Sequence, residues 1–401
     1  MKRRKIVLVT GVFPPGIGGM QNYYYNLSKH TKHGMTVIAP EYEGSAEFDS
    51  NQPFTIVRGS FMRGEQVDVT SWGRLFRQVR RTMRSEEPDV TVYGYVLIGF
   101  IGLLLRVFSG RRYVISTHGM DMLMFRRYLG LNQVVKLILR KADGVLTNSE
   151  YTRRLVRQYG VHPDRISIVN PGVEKIYEKK TLNKELAQQH GLEGKYVILS
   201  VGRLVTRKGN DRTIEAMPAI LEQIPNAVYV IVGDGPDRER LETLARTLGV
   251  SDAVRFIGSV NGGELLNEYF NLADQFIMAC RELEKGDAEG FGIVYLEAAS
   301  AGVPVIAGRS GGAVEAVLDG ETGMVVDPHS PAAIADMIVR LAQNPTLREQ
   351  LVRSGYKRAK TQFQHEVLAE LFDQYVGRVC ARPATRWRRA RAGETAVSKR
   401  S

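Results

Sequence analysis

Short apolar runs alternate with amphipathic stretches twice along this chain, which is the pattern of parallel strands covered by helices. The first set opens at residues 6–10, followed by a Pro/Gly loop and a helix from about Met20. It continues at 36–39, 90–93, 113–117, 144–147 and 166–169. The second set repeats the scheme at 197–201, 228–232, 254–257, 275–278, 303–307 and 323–326. Asn170-Pro171-Gly172-Val173 closes the first set at a turn, and a lysine-rich stretch to about Gly194 leads into the second. The pattern predicts an α/β protein of two Rossmann-like domains, residues 1–172 and 190–362. A helix near 363–380 and a tail, 381–401, follow. The most apolar stretch, 93–105, is interrupted by Gly94, Gly99 and Gly102 and closed by Arg106. A spanning helix needs about 20 apolar residues, so this stretch reads as a strand running into a buried helix.

Composition changes the picture in two respects. The 401 residues and 43% hydrophobic content suit two ordinary domains rather than a disordered chain. The basic start, MKRRKIVLVTG, has only 6–9 as an apolar run, too short for a signal peptide, so the chain is expected in the cytoplasm. Cys280 and Cys380 have neither metal-ligand spacing nor a disulfide framework around them. The net charge of +12 is concentrated. Half of it lies in a tail expected to be disordered, where Arg382, Arg386, Arg388, Arg389, Arg391, Lys399 and Arg400 face Glu394 alone. A second concentration is SWGRLFRQVRRTMRS, with Trp72, Leu75, Phe76, Val79 and Met83 as a helical stripe and Arg74, Arg77, Arg80, Arg81 and Arg84 around it. That pattern suits an anionic membrane surface, and equally a helix packed on a sheet with a solvated basic face. No recognised nucleic-acid module accompanies the charge, so nucleic acid is not an expected partner.

The segment EGFGIVYLE fixes two carboxylates, Glu289 and Glu297, eight positions apart at the mouth of a helix. If the helix starts at Ile293, they stand up to about 12 Å apart along its axis and about 80° around it. Two carboxylates that flank one glycosidic bond sit about 5 to 5.5 Å apart in retaining glycosidases, so this pair touches two ends of one long ligand instead. The small residues of Gly290-Phe291-Gly292-Ile293 let main-chain N–H groups approach an anion. Arg203 and Lys208, in SVGRLVTRKGN, directly follow a strand, where open α/β sheets bind ligands and fixed cations stabilise a departing diphosphate. Pro14-Pro15-Gly16-Ile17-Gly18-Gly19 sits at the matching position of the first half. His118 ends another strand in STHGMD.

The Glu-x7-Glu element, with GVPVIAG and the Gly311-Gly312 turn after it, resembles the donor site of retaining glycosyltransferases of family 4. These have the GT-B fold, two Rossmann-like domains with parallel sheets facing across a cleft. GDAEGFGIVYLEAASAGVPVIAG is most similar to bacterial mannosyltransferases of the phosphatidylinositol-mannoside type, and the likeness runs over roughly 6–375. The resemblance implies that Arg203 and Lys208 hold the donor phosphates, Glu289 the sugar hydroxyls and Glu297 the ribose. It implies that Phe291, Gly292 and Ile293 line the donor, with Gly18 and Gly19 across the cleft from its diphosphate. Gly233 (in VGDGP) and Ile257 become walls of the base pocket, and His118 lies near the transferred sugar. It also implies that the helix near 363–380 crosses back onto the first domain. The family often has Glu where this chain has Asp121, which therefore receives no role.

No Asp-x-Asp pair follows a strand and no His/Cys cluster has metal spacing, so no divalent metal and no other cofactor are expected. GDP-mannose is the favoured donor, a UDP-sugar the alternative, and a lipid-linked or glycan acceptor at the membrane surface the expected partner. A dinucleotide-dependent oxidoreductase is the reading from another class. Glu41 and Glu43 stand where an NAD ribose ligand would, but Gln21 occupies the third glycine position of that fingerprint. A catalytically silent scaffold and a nucleotide-sugar epimerase share the same pattern.

Overall fold

Each set of apolar runs forms one parallel sheet. The computed structural model describes residues 2–382 apart from 17, 64, 65, 68–70, 127, 261 and 285. The first domain contains β1 (Lys5–Val9), β2 (Gly34–Pro40), β3 (Thr55–Gly59), β6 (Val90–Tyr93), β7 (Tyr113–Thr117), β8 (Gly144–Thr147) and β9 (Ile166–Ile168). A small hairpin, β4 (Met62–Arg63) and β5 (Gln66–Val67), lies apart. The sheet order is β3-β2-β1-β6-β7-β8-β9, all parallel. The second domain has β10 (Tyr196–Val201), β11 (Ala227–Val232), β12 (Val254–Gly258), β13 (Gln275–Met278), β14 (Val305–Gly308) and β15 (Met324–Val326), ordered β12-β11-β10-β13-β14-β15. In both sheets the first strand sits in the middle and the chain then winds outward in both directions. Each therefore has a switch point at the carboxyl end of its first strand, where an open α/β sheet leaves a crevice.

On one face of the first sheet lie α3 (Trp72–Glu86), α4 (Gly99–Ser109), α6 (Leu129–Lys141) and α7 (Glu150–Gln158), which share one apolar core. On the other lie α1 (Gly19–His30) and α16 (His365–Ala381). Helix α16 does cross back: Leu368, Phe372, Tyr375, Val376 and Val379 bury against Ile6, Leu8, Tyr23 and Leu27. Burying such a side chain contributes about 1.5 to 3 kcal/mol, so α16 ties the domains firmly. Beside it the linker returns, with Val173 N–H donating to Phe363 O at 2.8 Å.

Strands β6, β7, β8 and β13 have the limits their apolar runs predict, and the others shift by one or two residues. Strand β3 was not anticipated. Its sequence, TIVRG, forms the sheet edge and is only half-buried, so no apolar run announces it. The stretch 93–105 divides as expected into β6, a loop and α4. In α3 the stripe belongs to the fold: Leu75, Val79 and Met83 are buried and Trp72 and Phe76 pack against the same core. Its apolar face is therefore spent on the sheet, and Arg74, Arg77, Arg80, Arg81 and Arg84 are exposed. The tail beyond residue 382 lies outside the described residues. Both cysteines are buried and unpaired. No described helix is long and apolar enough to cross a membrane.

Candidate active site

After β10 the chain runs through Gly202, Arg203 and Leu204 to a short turn, Thr206–Lys208, before α9 (Asn210–Gln223) begins. Leu204 is buried, and the N–H groups of Gly202 and Leu204 donate to Val232 O and Asp234 O, each at 2.9 Å. The loop is thereby pinned to the end of β11. Gly233 lies directly beneath Gly202, and its N–H donates to Gly258 O at 2.7 Å, which brings Gly233 beside the end of β12 and Ile257. Arg203 stands on the exposed side of this loop. Arg207 and Lys208 turn inward, donating to the same oxygen, Glu289 Oε2, at 2.9 and 2.7 Å.

Glu289 precedes the turn that starts α12 (Ile293–Ser300), with Gly292 at the N-cap, so the helix begins where its sequence predicts. Phe291 is buried beside Phe363 and Ile293 is half-buried. The two carboxylates are tuned oppositely. Burial pushes the Glu289 carboxyl up, but Lys208 and Arg207 reverse that and hold it at about 2. Burial raises Glu297 to about 8, aided by Glu174 and opposed by Lys208. No hydrogen bond to its carboxyl occurs among the described residues. Lys208 stands within electrostatic reach of both carboxyls.

The first domain supplies the opposite wall. Gly18 caps α1 and Gly19 is exposed with open space around it; Ile17 lies outside the described residues. His118 follows β7 and its Nε2 lies 3.0 Å from Tyr24 Oη, whose hydroxyl also reaches Gly94 O at 2.9 Å. Burial pushes its imidazole down to about 4, so it is neutral at physiological pH. Asp121 accepts from Thr117 Oγ1 at 2.6 Å and Val96 N at 3.2 Å, fastening the ends of β6 and β7 together: a structural position.

The walls meet at Gly290. A Cβ there would stand 2.9 Å from His118 O and 3.1 Å from Asn148 Nδ2, so only a glycine lets this turn rest on the first domain. Gly312 locks it from behind, donating to Glu289 O at 2.8 Å. On α13 (Ala313–Ala316), the Glu315 carboxylate accepts from Glu150 N at 2.6 Å and Tyr151 N at 2.7 Å, the first turn of α7 in the other domain.

His118, Gly290 and Glu289 thus come together, with Lys208 on Glu289 and Glu297 farther along α12. Arg203 is exposed on the same loop as Lys208. Sequence reasoning missed three contributors. Arg207 stands beside Lys208 in the motif but carries no distinguishing signal there; its Nε also pairs with Asp287 at 3.2 Å. Tyr24 gave no signal beyond a run of tyrosines, and Glu315 none, because its partner is main chain in another domain.

Two family models cover the chain: "Glycosyltransferase Family 4" over residues 17–175 and "Glycosyl transferases group 1" over 183–358. The GDP-mannose-dependent alpha-(1-6)-phosphatidylinositol monomannoside mannosyltransferase of Mycolicibacterium smegmatis is 34% identical over 351 residues, 85% of this chain and 90% of that one. The chain belongs to glycosyltransferase family 4. The transferase is also 37% identical over 246 residues to the D-inositol 3-phosphate glycosyltransferase of Acidothermus cellulolyticus, covering 58% of this chain and 52% of that one. Among solved structures, Anabaena Alr3699/HepE in complex with UDP superposes with a TM-score of 0.78 at 19% identity, over 93% of this chain and all of that one. WaaG, a glycosyltransferase involved in lipopolysaccharide biosynthesis, gives 0.68 at 20% identity, over 93% of this chain and all of that one. The fold of the transferase is GT-B.

Proposed function

We propose that the transferase takes mannose from GDP-mannose and passes it, with retention and without a divalent metal, to a phosphatidylinositol-mannoside-type lipid at a membrane surface. The observation that carries the donor chemistry is the cation pair on Glu289, with the unpartnered Glu297 at the far end of the same turn and helix. Mannose, GDP and lipid rest on the relatives that use them. Arg203 and Lys208 grip the diphosphate, Lys208 exchanging its bond to Glu289 for a phosphate oxygen while Arg207 keeps the carboxylate charged. Glu289 then orients the sugar hydroxyls and Glu297 the ribose; Phe291, Gly292 and Ile293 line the donor, Gly18 and Gly19 close over the diphosphate, and Gly233 and Ile257 flank the base.

In the transfer, the bond from C1 to the phosphate oxygen breaks and its electron pair stays with the diphosphate. The acceptor hydroxyl attacks C1 on the same face and gives its proton to the departing phosphate. Fixed cations supply the charge stabilisation a metal would otherwise provide. Neutral His118, held by Tyr24, orients the sugar. A thermal-shift panel of GDP-, UDP- and ADP-sugars, followed by transfer to a deacylated phosphatidylinositol mannoside in excess chelator, tests this. A shift with GDP-mannose and turnover with chelator are expected. Turnover only with added divalent ion removes the metal-independent step, and a shift confined to UDP-sugars replaces the donor.

A further inference from the structure

Helix α1 carries three consecutive tyrosines, Tyr23, Tyr24 and Tyr25. A helix turns each successive side chain by about 100°, so the three leave it in different directions. Tyr25 packs with Phe48 and Phe54, Tyr23 Oη donates to Val169 O at 3.1 Å, and Tyr24 is fully buried at the ends of β6 and β7. There its Oη meets Gly94 O at 2.9 Å, Ser116 Oγ at 3.3 Å and His118 Nε2 at 3.0 Å. Gly94 makes the room: a Cβ at that position would stand 2.8 Å from Tyr24 Cζ.

A phenol has one proton for these three neighbours. A carbonyl oxygen has none, so an O–O approach of 2.9 Å at Gly94 requires the Tyr24 proton to lie between the two atoms. Burial pushes the phenol well above its ordinary 10.0, so that proton stays in place. The remaining lone pairs of Oη can only accept. At 3.0 Å, His118 Nε2 must therefore carry its own hydrogen, because a bare nitrogen would set lone pair against lone pair at a fully buried oxygen. The imidazole, neutral at physiological pH, has one hydrogen to place. It sits on Nε2, and Nδ1 keeps its lone pair. The rings of Tyr23 and Tyr24 clamp the imidazole edge-on, with centroids 4.9 and 5.5 Å away, and no hydrogen bond to Nδ1 occurs among the described residues.

We infer that Tyr24 is a positioning residue for the transfer: by committing its proton to Gly94 O it fixes His118 as the Nε2–H tautomer and makes Nδ1 an acceptor, which a hydroxyl of the transferred sugar fills by donating its hydrogen. The ligand contact rests on the proposed function, in which His118 orients the sugar, whereas the tautomer rests on the protein alone. His118 then selects by polarity. A hydroxyl is held there, and a group that only accepts hydrogen bonds is refused.

The full chain, isotopically labelled at histidine nitrogen, is measured by long-range proton–nitrogen NMR at neutral pH, with the His118 signals assigned by their absence from His118→Gln. Without ligand, Nε2 should report a bound proton and Nδ1 none. The reverse pattern overturns the inference, and this arm needs no folded variant of Tyr24. GDP-mannose should move the Nδ1 signal and leave Nε2 protonated. Tyr24→Phe should release the tautomer to a mixture, raise the KM for GDP-mannose about tenfold with a smaller change in kcat, and leave inhibition by GDP, which lacks the sugar, unchanged. Ser116→Ala, which keeps the bond to Gly94 O, should keep the wild-type tautomer. An unchanged KM in Tyr24→Phe overturns the inference, as does an equal weakening of GDP-mannose and GDP, the mark of a collapsed site. If the wild type transfers sugar while the donor leaves Nδ1 unmoved, the inferred contact is wrong and the functional reading survives. If no sugar nucleotide binds or turns over, the functional reading fails, while the ligand-free spectrum still decides the tautomer.

Discussion

At the scale of residues, the site depends on two glutamates of the same kind held in opposite states. Glu289 is depressed to about 2, so its pairing adds stability that is present above the ordinary value of 4.5 and lost as pH falls toward 2. Glu297 is raised to about 8, which reverses the sign. Below 4.5 the group is protonated in folded and unfolded chains alike and its burial carries no ionic penalty. Between 4.5 and 8 the unfolded chain ionises while the folded one does not, so stability falls as pH rises, and above 8 the loss is complete. Glu297→Gln keeps the shape of the neutral acid and removes this titration. The melting temperature of the wild type, relative to the variant, should therefore fall between about pH 5 and about pH 8. A constant difference across that range would show that Glu297 is not held neutral.

At the scale of elements, the strands and the α12 start were legible because apolar runs and glycine turns are local signals. What was illegible depended on partners far away in sequence. The edge strand β3 is half-buried and depends on β2 to complete it. The apolar stripe of α3 showed that a surface would be covered, but only the fold shows that the sheet covers it. Gly290 belongs to the same class. Its motif was visible, while its contact with His118 O and Asn148 joins residues from different domains. Gly290→Ala should leave each domain's core intact, changing stability by less than about 1 kcal/mol. It should push the turn off the first domain and lower turnover on the order of 100-fold, the effect of misplacing reacting groups by about 1 Å. Steady-state kinetics beside a melting curve checks this; wild-type turnover would remove the Gly290 contact from the active geometry.

At the scale of the whole molecule, one stretch of the second domain carries donor residues and interdomain contacts together. Gly290 rests on the first domain, Gly312 holds Glu289 from behind, and Glu315 clasps the start of α7. Opening the cleft would break the Glu315 clasp and lift the Glu289 turn from His118 in one motion, while the linker and α16 remain joined through Val173 and Phe363. The clasp is a carboxylate accepting two main-chain N–H groups at a helix start, an arrangement favoured by both hydrogen bonding and the helix dipole. Glu315→Gln replaces one acceptor oxygen with a donor and removes the charge. With hydrogen bonds to charged groups contributing about 1.5 to 3 kcal/mol, the closed form should lose at least about tenfold in population. The ligand-free variant should therefore have a larger radius of gyration by small-angle scattering, and the KM for the donor should rise about tenfold with little change in melting temperature. Unchanged scattering and KM would show that the clasp only rides on a closure set by the hinge and α16.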